Sequence, residues 1–204
     1  MKLILIRHGE TLWNKEGRIQ GTSDIELSPV GIEQARLLAL SLKDQPICAI
    51  HASPLKRALK TAEIINEHHG KEIQTHADLM EMDQGDFEGF SFKELMACEK
   101  DFLNKWIADP ASVRMPNGES LAELQARAWR ALETIISKEQ SALVVAHNFT
   151  IAAIICRIKN ISLSNFRGNS VGTASKTIVS FQNGEPCIET LNDRSHLPDK
   201  SKKA

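Results

Sequence analysis

Two short, wholly apolar segments lie far apart in the chain, and each leads into a histidine. Residues 3–6 are followed by Arg7 and His8, and residues 143–146 end at His147. Continuous runs of β-forming residues are typical of strands that are buried on both faces of a parallel sheet. Such a sheet needs helices on both of its faces, so this feature constrains the fold more than any other.

The segments between the apolar runs carry helical patterns. A Ser-Pro pair at 28–29 is a typical helix start, and apolar residues follow it at helical spacing. After a short predicted strand at 47–51, a second Ser-Pro pair at 53–54 starts the next predicted helix. Further helices are predicted after 116–120 and over 150–158. This alternation predicts an α/β fold, a three-layer α/β/α sandwich with a mostly parallel central sheet.

Two regions depart from the alternation. Residues 178–181 and 188–191 flank Asn-Gly at 183–184, which predicts an antiparallel hairpin that supplies an antiparallel edge strand. From about 83 to 118 the apolar pattern weakens, and helical pieces around 92–106 are separated by turns. We expect this irregular segment to form a small helical lid.

Length and composition exclude several classes of protein. A chain of 204 residues is expected to form a single domain over 1–204, with a frayed tail at about 198–204. Because 25 Lys and Arg residues are balanced by 26 Asp and Glu residues, bulk charge does not favour binding to nucleic acid or to a membrane. The apolar start is too short for a signal peptide, and no stretch is long enough to span a membrane. The 4 cysteines form no close pair, which favours reduced thiols in a cytoplasmic protein over a zinc site.

The two histidines that follow the apolar runs are expected to meet. Ligands of parallel sheets bind beyond the carboxyl ends of the strands, where His8 and His147 would lie. Arg7 offers a fork of donors suited to phosphate oxygens. Arg57 follows a predicted helix start, a place that attracts anions. Taken singly, each residue has an ordinary explanation as a core histidine or a solvated arginine, and only the combination favours an anion pocket.

Glu81 is a candidate proton donor. It lies between Met80 and Met82, and apolar neighbours favour the neutral carboxyl that a donor near neutral pH needs. Other acidic residues follow it in the same irregular segment, where charge usually means solvation. The residue pattern by itself therefore does not select Glu81.

Together these segments resemble the histidine phosphatase superfamily, the phosphoglycerate-mutase-like group. The resemblance runs from Met1 to about residue 160, in order and at the usual separations. It rests on Arg-His-Gly-Glu at 7–10 with Asn14, and on the segments 17–21, 27–31, 53–58, 81–89, 116–120 and 146–147.

The resemblance implies a role for each candidate residue. It implies that His8 is a nucleophile that becomes phosphorylated and that Glu81 is the proton donor. It requires neither a metal nor a cofactor. The residues that it implies as phosphate-holding are Arg7, Arg57 and His147. It implies that Asn14 binds substrate by touching the phosphoryl group, and that Gln20 and Gly21 belong to a substrate-side loop.

Other residues are less clearly assigned. Asn148 stands where the family usually has glycine, which predicts a narrower pocket. His196 resembles part of a C-terminal motif and is a candidate for the pocket rim. The candidates for lining the substrate side are Phe87, Phe90, Phe149 and Met115, whereas Phe102, Trp106, Trp129 and Phe166 are expected to be packing residues.

The reaction stays open between hydrolysis and phosphoryl transfer. Mutases of this group usually have a longer insertion before the second histidine, with paired arginines, whereas the segment 81–147 is short and has no Arg-Arg pair. We therefore expect a metal-independent phosphatase for small phosphate monoesters, with alpha-ribazole phosphate, phosphoserine and sugar phosphates as candidate substrates. The alternatives are a cofactor-dependent phosphoglycerate mutase and a non-catalytic module that binds a phosphorylated ligand. A homodimer is compatible with the sequence.

Overall fold

A computed structural model describes residues 1–138, 141–182 and 184–199. The strands are β1 (Lys2–Arg7), β2 (Ala49–Ala52), β3 (Ile73–Thr75), β4 (Ser141–Ala146), β5 (Lys176–Gln182) and β6 (Glu185–Asp193). Within the described ranges they form one six-stranded sheet in the order β3-β2-β4-β1-β5-β6. The pairs β1-β4, β2-β4 and β2-β3 are parallel, and β5 runs antiparallel to both β1 and the edge strand β6. The predicted mostly parallel sheet with an antiparallel edge is confirmed.

Helices cover both faces of the sheet. The helices are α1 (Leu12–Glu16), α2 (Pro29–Leu42), α3 (Lys56–Asn66), α4 (Phe92–Cys98), α5 (Lys100–Ala108), α6 (Leu121–Lys138) and α7 (Asn148–Ile158). Successive side chains of a strand point to opposite faces. In β1, Ile4 and Ile6 accordingly pack in one core with α2 and α3, while Leu3 and Leu5 pack in the other with α6 and α7. The predicted three-layer sandwich is confirmed.

Local sequence signals set the start of α2 but not the start of α3. The Ser28 hydroxyl accepts the Gly31 N–H at 3.0 Å and caps α2, as the Ser-Pro pattern predicts. The second Ser-Pro pair does not start a helix, because α3 begins at Lys56. The buried Ser53 hydroxyl lies instead 2.8 Å from a nitrogen of His147.

A third apolar cluster supports the lid. It contains Leu95 of α4 together with Leu103 and Trp106 of α5, which pack against Leu121 and Leu124 of α6. The predicted helical lid is therefore confirmed, and it lies against the first turns of α6. This places an apolar layer beside the carboxyl ends of the central strands.

Strand β3 was not predicted from the sequence, because its three residues are half-buried or exposed and form no apolar run. Asn183 of the predicted hairpin turn lies outside the described residues, as does the predicted frayed tail from residue 200 onward. None of the helices in the described ranges combines the length and the apolar character needed to cross a bilayer.

Candidate active site

The sheet register brings the two histidines together. β1 and β4 are parallel neighbours with Arg7 opposite Ala146, so His8 and His147 leave the sheet side by side. The His8 N–H donates to the Ala146 carbonyl at 3.1 Å. The centroids of the two imidazole rings are 5.1 Å apart, with 59° between the ring planes.

A backbone contact orients the His8 ring. Its Nδ1 lies 2.7 Å from the carbonyl oxygen of Gly9. Because a carbonyl oxygen only accepts hydrogen bonds, Nδ1 carries the proton and Nε2 keeps the lone pair. Gly9 is required here, since a Cβ at this position would lie 2.4 Å from the Gly31 carbonyl oxygen. The Gly9 N–H donates to the Thr61 hydroxyl at 3.2 Å, which fixes the turn.

Two guanidinium groups are anchored beside the histidines by backbone carbonyls. Arg7 Nη1 donates to Val171 at 2.6 Å, and Arg57 donates to Ser23 and Gly21, both at 2.7 Å. Arg57 is 0% exposed although it lies in the first turn of α3. Neither arginine forms an ion pair with a carboxylate of the described residues, so their positive charge is not neutralised by a direct partner.

Burial and the arginines set the protonation of the cluster. Burial lowers the pKa of His8 well below its ordinary 6.5, and the charges of Arg57 and Arg7 lower it further. Burial and Arg57 likewise lower the pKa of His147. Burial lowers the pKa of Arg7 to about 10, although the Glu81 carboxylate opposes the shift. At neutral pH the cluster therefore combines neutral imidazoles with charged guanidiniums.

His147 supports the cluster from behind His8. It is fully buried, and its Nε2 lies 2.8 Å from the Ser53 hydroxyl. Its Nδ1 has no hydrogen-bond partner in the described part of the chain. The sequence contained Ser53 within a family-like segment, but no pattern there indicated a contact with His147.

Glu81 lies at the N-terminus of α7. Its Oε2 accepts the Phe149 N–H at 3.2 Å, and its Oε1 accepts the N–H groups of Met82 at 2.9 Å and Thr150 at 3.2 Å. The setting differs from the apolar one expected from the sequence, because the flanking Met82 is buried elsewhere in the lid core while the carboxylate meets backbone donors. These donors hold the carboxylate at the margin of the histidine cluster.

Arg127 clamps the segment that carries Glu81. Its guanidinium donates to the carbonyls of Asp78 at 2.9 Å, Met80 at 2.7 Å and Glu81 at 2.8 Å. It also pairs with Glu119 through two hydrogen bonds, at 2.7 and 2.9 Å. Sequence reasoning missed both residues, although Glu119 lies inside the family-like segment 116–120. The pair is largely buried, which makes it a rigid support.

The cluster opens into a cavity of about 260 Å³. Every predicted site residue except His147 lines it: Arg7, His8, Asn14, Gln20, Gly21, Arg57 and Glu81. Of the aromatic candidates, Phe87 and Phe149 line it, as does Met115, but Phe90 does not. Phe102 and Trp106, which we expected to serve packing alone, also line it. His196 is absent from the lining, so the structure does not place it at the rim.

The substrate-side loop is held by side chains. The side-chain oxygen of Asn14 accepts the Thr11 N–H at 3.1 Å, and that of Gln20 accepts the Thr11 hydroxyl at 2.8 Å. Gly21 has φ +52°, and a Cβ there would lie 2.0 Å from a carboxylate oxygen of Glu88. That carboxylate accepts the two N–H groups that follow Gly21, at 2.6 and 2.8 Å. Gly21 therefore allows a tight loop whose carbonyl anchors Arg57.

Asn148, the departure from the family pattern, is the first residue of α7. Its side-chain oxygen accepts the Val171 N–H at 2.8 Å, and the Val171 carbonyl in turn accepts from Arg7. Asn148 also lines the cavity. It thus ties the strand-end cluster to the loop after residue 170.

The donor set suits an anion better than a cation. No group of three or more His, Cys, Asp or Glu side chains in the described ranges is arranged to hold a metal ion. Two guanidiniums and the imidazole of His8 line one cavity, with His147 beside His8, and the guanidiniums offer hydrogen-bond donors and positive charge.

Comparisons with known proteins agree with this geometry. Residues 3–194 match the family model described as histidine phosphatase superfamily, branch 1. Phosphoserine phosphatase 1 of Hydrogenobacter thermophilus is 34% identical over 199 residues, which cover 97% of this chain and 94% of the relative. A probable phosphoglycerate mutase GpmB of Yersinia pestis is 30% identical over 204 residues, 97% of this chain and 95% of the relative.

The solved structure of Bacillus stearothermophilus YhfR superposes with a TM-score of 0.91 at 29% identity, covering 96% of this chain and 98% of that chain. Fold, strand-end cluster and family model therefore lead to one assignment. The chain belongs to the histidine phosphatase superfamily, branch 1, and is an enzyme of the phosphatase class.

Proposed function

We propose that the protein hydrolyses phosphate monoesters of small metabolites through a phosphohistidine on His8, without a metal ion. One observation carries the proposal: two neutral imidazoles and two guanidiniums, neither of which pairs with a carboxylate of the described residues, converge in a buried cluster that opens to a cavity. Arg7 Nε, Arg57 Nε and His147 Nδ1 are buried without a hydrogen-bond partner in the described residues. The two arginine N–H groups are donors that need acceptors, which the oxygens of a phosphoryl group supply.

The first step forms a covalent intermediate. The Nε2 lone pair of His8 attacks phosphorus, so that a P–N bond forms while the bond from phosphorus to the ester oxygen breaks. Arg7 and Arg57 stabilise the charge on the phosphoryl oxygens, a task that other enzymes give to magnesium. Glu81, in its protonated form, gives its proton to the departing oxygen.

The second step releases phosphate. A water molecule attacks the phosphohistidine while the Glu81 carboxylate takes its proton, and the P–N bond breaks with its electron pair returning to Nε2. Inorganic phosphate leaves, and Glu81 is again protonated for the next cycle. The reaction balances without a further co-reactant.

The test is turnover of p-nitrophenyl phosphate in EDTA by the wild type, His8→Ala and His68→Ala. His68 is exposed and lies outside the site, so its variant is the matched control. We expect the wild type and His68→Ala to release phosphate and to form an acid-labile phosphoprotein, and His8→Ala to do neither. Turnover retained by His8→Ala, or lost in EDTA alone, would overturn the proposed route.

The same assay separates the two alternatives. A mutase, which one relative's name supports, would interconvert phosphoglycerate isomers when primed with a bisphosphate and release little phosphate. A module that only binds phosphorylated ligands would release none with any ester. We expect net phosphate release and no isomer exchange.

A further inference from the structure

The cavity has two unlike halves. Its floor consists of Arg7, His8, Arg57 and Glu81, with His147 behind them. Its outer wall is apolar over most of its area. The largest apolar residues of the outer wall are Phe87, Phe92, Phe102, Trp106, Met115 and Phe149, and amide side chains, such as those of Gln84 and Asn148, also line the cavity. A leaving group attached to a phosphoryl group on the floor must lie against this wall.

Charge is almost absent from the outer wall. Among the described lining residues, the charged side chains outside the floor reduce to Arg18. Its Nε donates to the Glu16 carboxylate at 2.9 Å, and its Nη1 lies 3.8 Å from the Glu94 carboxylate. Nη1 also donates to the Gly89 carbonyl at 2.7 Å. Two carboxylates thus lie beside Arg18, and among the described lining residues outside the floor there is no carboxylate to bind an ammonium group.

We propose that the preferred substrates are phosphate esters of uncharged, mainly apolar alcohols, aromatic or branched, rather than of amino acids or hydroxy acids. This inference rests on the proposed phosphatase function. A carboxylate or ammonium group held against these apolar side chains would lose water that they cannot replace. An aromatic ring there would instead bury its apolar surface against Phe and Trp side chains and so remove that surface from water.

The relative named phosphoserine phosphatase makes this a sharp distinction. Phosphoserine carries both an ammonium and a carboxylate group, and the apolar side chains of the outer wall offer a charged partner to neither. Except for the exposed Phe92, the apolar residues of the wall pack in the lid core, which fixes their positions. Specificity for the leaving group is therefore expected to come from the lid, while the floor contacts the phosphoryl group that all phosphate monoesters share.

The test compares 2-phenylethyl phosphate with O-phosphoserine. Both esters release a primary alkyl alcohol, so their kcat/KM ratio reports recognition of the leaving group. We expect kcat/KM to be about 10- to 100-fold higher for 2-phenylethyl phosphate, the range that apolar pocket contacts provide. Equal or better turnover of phosphoserine would overturn this inference while leaving the phosphatase function intact. No phosphate release and no phosphoprotein with either ester would overturn both.

Two exposed phenylalanines provide a matched pair of variants. Phe92 is 55% exposed and lines the cavity, whereas Phe90 is 41% exposed and does not. Neither change removes a fully buried side chain, so both variants are expected to fold. We expect Phe92→Ala to lower kcat/KM for 2-phenylethyl phosphate by roughly 3- to 10-fold, with phosphoserine unaffected and Phe90→Ala like the wild type. Equal effects of the two variants on both esters would count against the outer wall as the determinant.

Arg18→Gln completes the test. If Arg18 recognised a substrate carboxylate, this variant would lose phosphoserine turnover selectively, and the inference would be wrong. We expect the ratio of the two kcat/KM values to stay at its wild-type level, because Arg18 is already paired with Glu16 and Glu94.

Discussion

The floor and the outer wall of the cavity are built in opposite ways. The floor gathers His8 and Arg57, with His147 behind them, from the ends of strands and the start of a helix that are far apart in the chain. Sheet register and backbone hydrogen bonds fix each of them in place. The outer wall comes mostly from one irregular segment and is held by side-chain packing. The sheet therefore positions the residues for phosphoryl transfer, and the lid positions the residues that contact the leaving group.

This difference predicts how the two regions respond to change. A floor residue has polar partners on several sides, so its loss affects the reaction itself. A wall residue contributes surface, so its loss changes the choice among esters by a modest factor. The expected effects of substitutions therefore decrease from the proton donor of the floor to the residue at which floor and wall meet.

The largest effect is expected for Glu81→Gln, which keeps the shape of the side chain but removes proton transfer. We expect kcat for an alkyl phosphate to fall by roughly 10²- to 10⁴-fold, the usual contribution of general acid–base catalysis. The fall in p-nitrophenyl phosphate turnover should be smaller, because that leaving group needs little protonation. Asp86→Asn, an exposed position in the same segment, is the control in a steady-state assay of both esters. Equal losses with the two esters would contradict the role of Glu81 as proton donor.

A smaller effect is expected for Arg127→Lys, which keeps the charge beside Glu119 but loses the fork to three carbonyls. Glu81 would then be less well positioned, and we expect kcat to fall about 10- to 100-fold with KM nearly unchanged. The control is Arg130→Ala, also on α6, whose ion pair with Asp78 is exposed. A rise in KM with normal kcat would show instead that Arg127 acts on substrate binding.

The histidines of the floor give the molecule an acid sensitivity that the wall lacks. The unfolded chain takes up a proton at His8 near pH 6.5, whereas the lowered pKa keeps the folded chain neutral there. The contribution of His8 to the free energy of unfolding is therefore fully present above pH 6.5 and is lost as the pH falls below that value. Chemical denaturation at pH 7 and pH 5 should show that His8→Asn loses about 2 kcal/mol less than the wild type between the two values. Phe92→Ala should follow the wild type, and an unchanged slope in His8→Asn would mean that His8 is charged in the folded state.

The catalytic floor could largely be predicted from the sequence alone. The strand-end positions of His8 and His147 were predictable, because an apolar run that ends in a histidine fixes both the strand and the site of its last residue. The family resemblance then predicted Arg57 and Glu81 as members of the same site. The fold class followed from the same alternation of strands and helices.

The supporting contacts were not predictable, because they depend on tertiary geometry. Arg127 lies on an amphipathic helix, where a solvated arginine is the ordinary expectation, and only the structure shows its bonds to three carbonyls. Trp106 and Phe102 looked like core residues, and they do pack in the lid core, yet the same packing exposes one side of each to the cavity. An apolar residue of a lid can serve both purposes, and sequence patterns do not separate them.

The smallest effect is expected at Asn148, which lies where floor and wall meet. Asn148→Gly restores the residue usual in the family and removes the acceptor of the Val171 N–H. We expect thermal or chemical denaturation to show a loss of about 1–2 kcal/mol, from one hydrogen bond and the cost of glycine in a helix. Asn104→Gly, at an exposed position in α5, measures the cost of glycine alone. We expect kcat/KM to change by less than about threefold, since Arg7 keeps its own bond to Val171. A large gain in kcat/KM for bulky esters would show instead that Asn148 narrows the pocket, as the sequence predicts, and would make this one residue part of both regions.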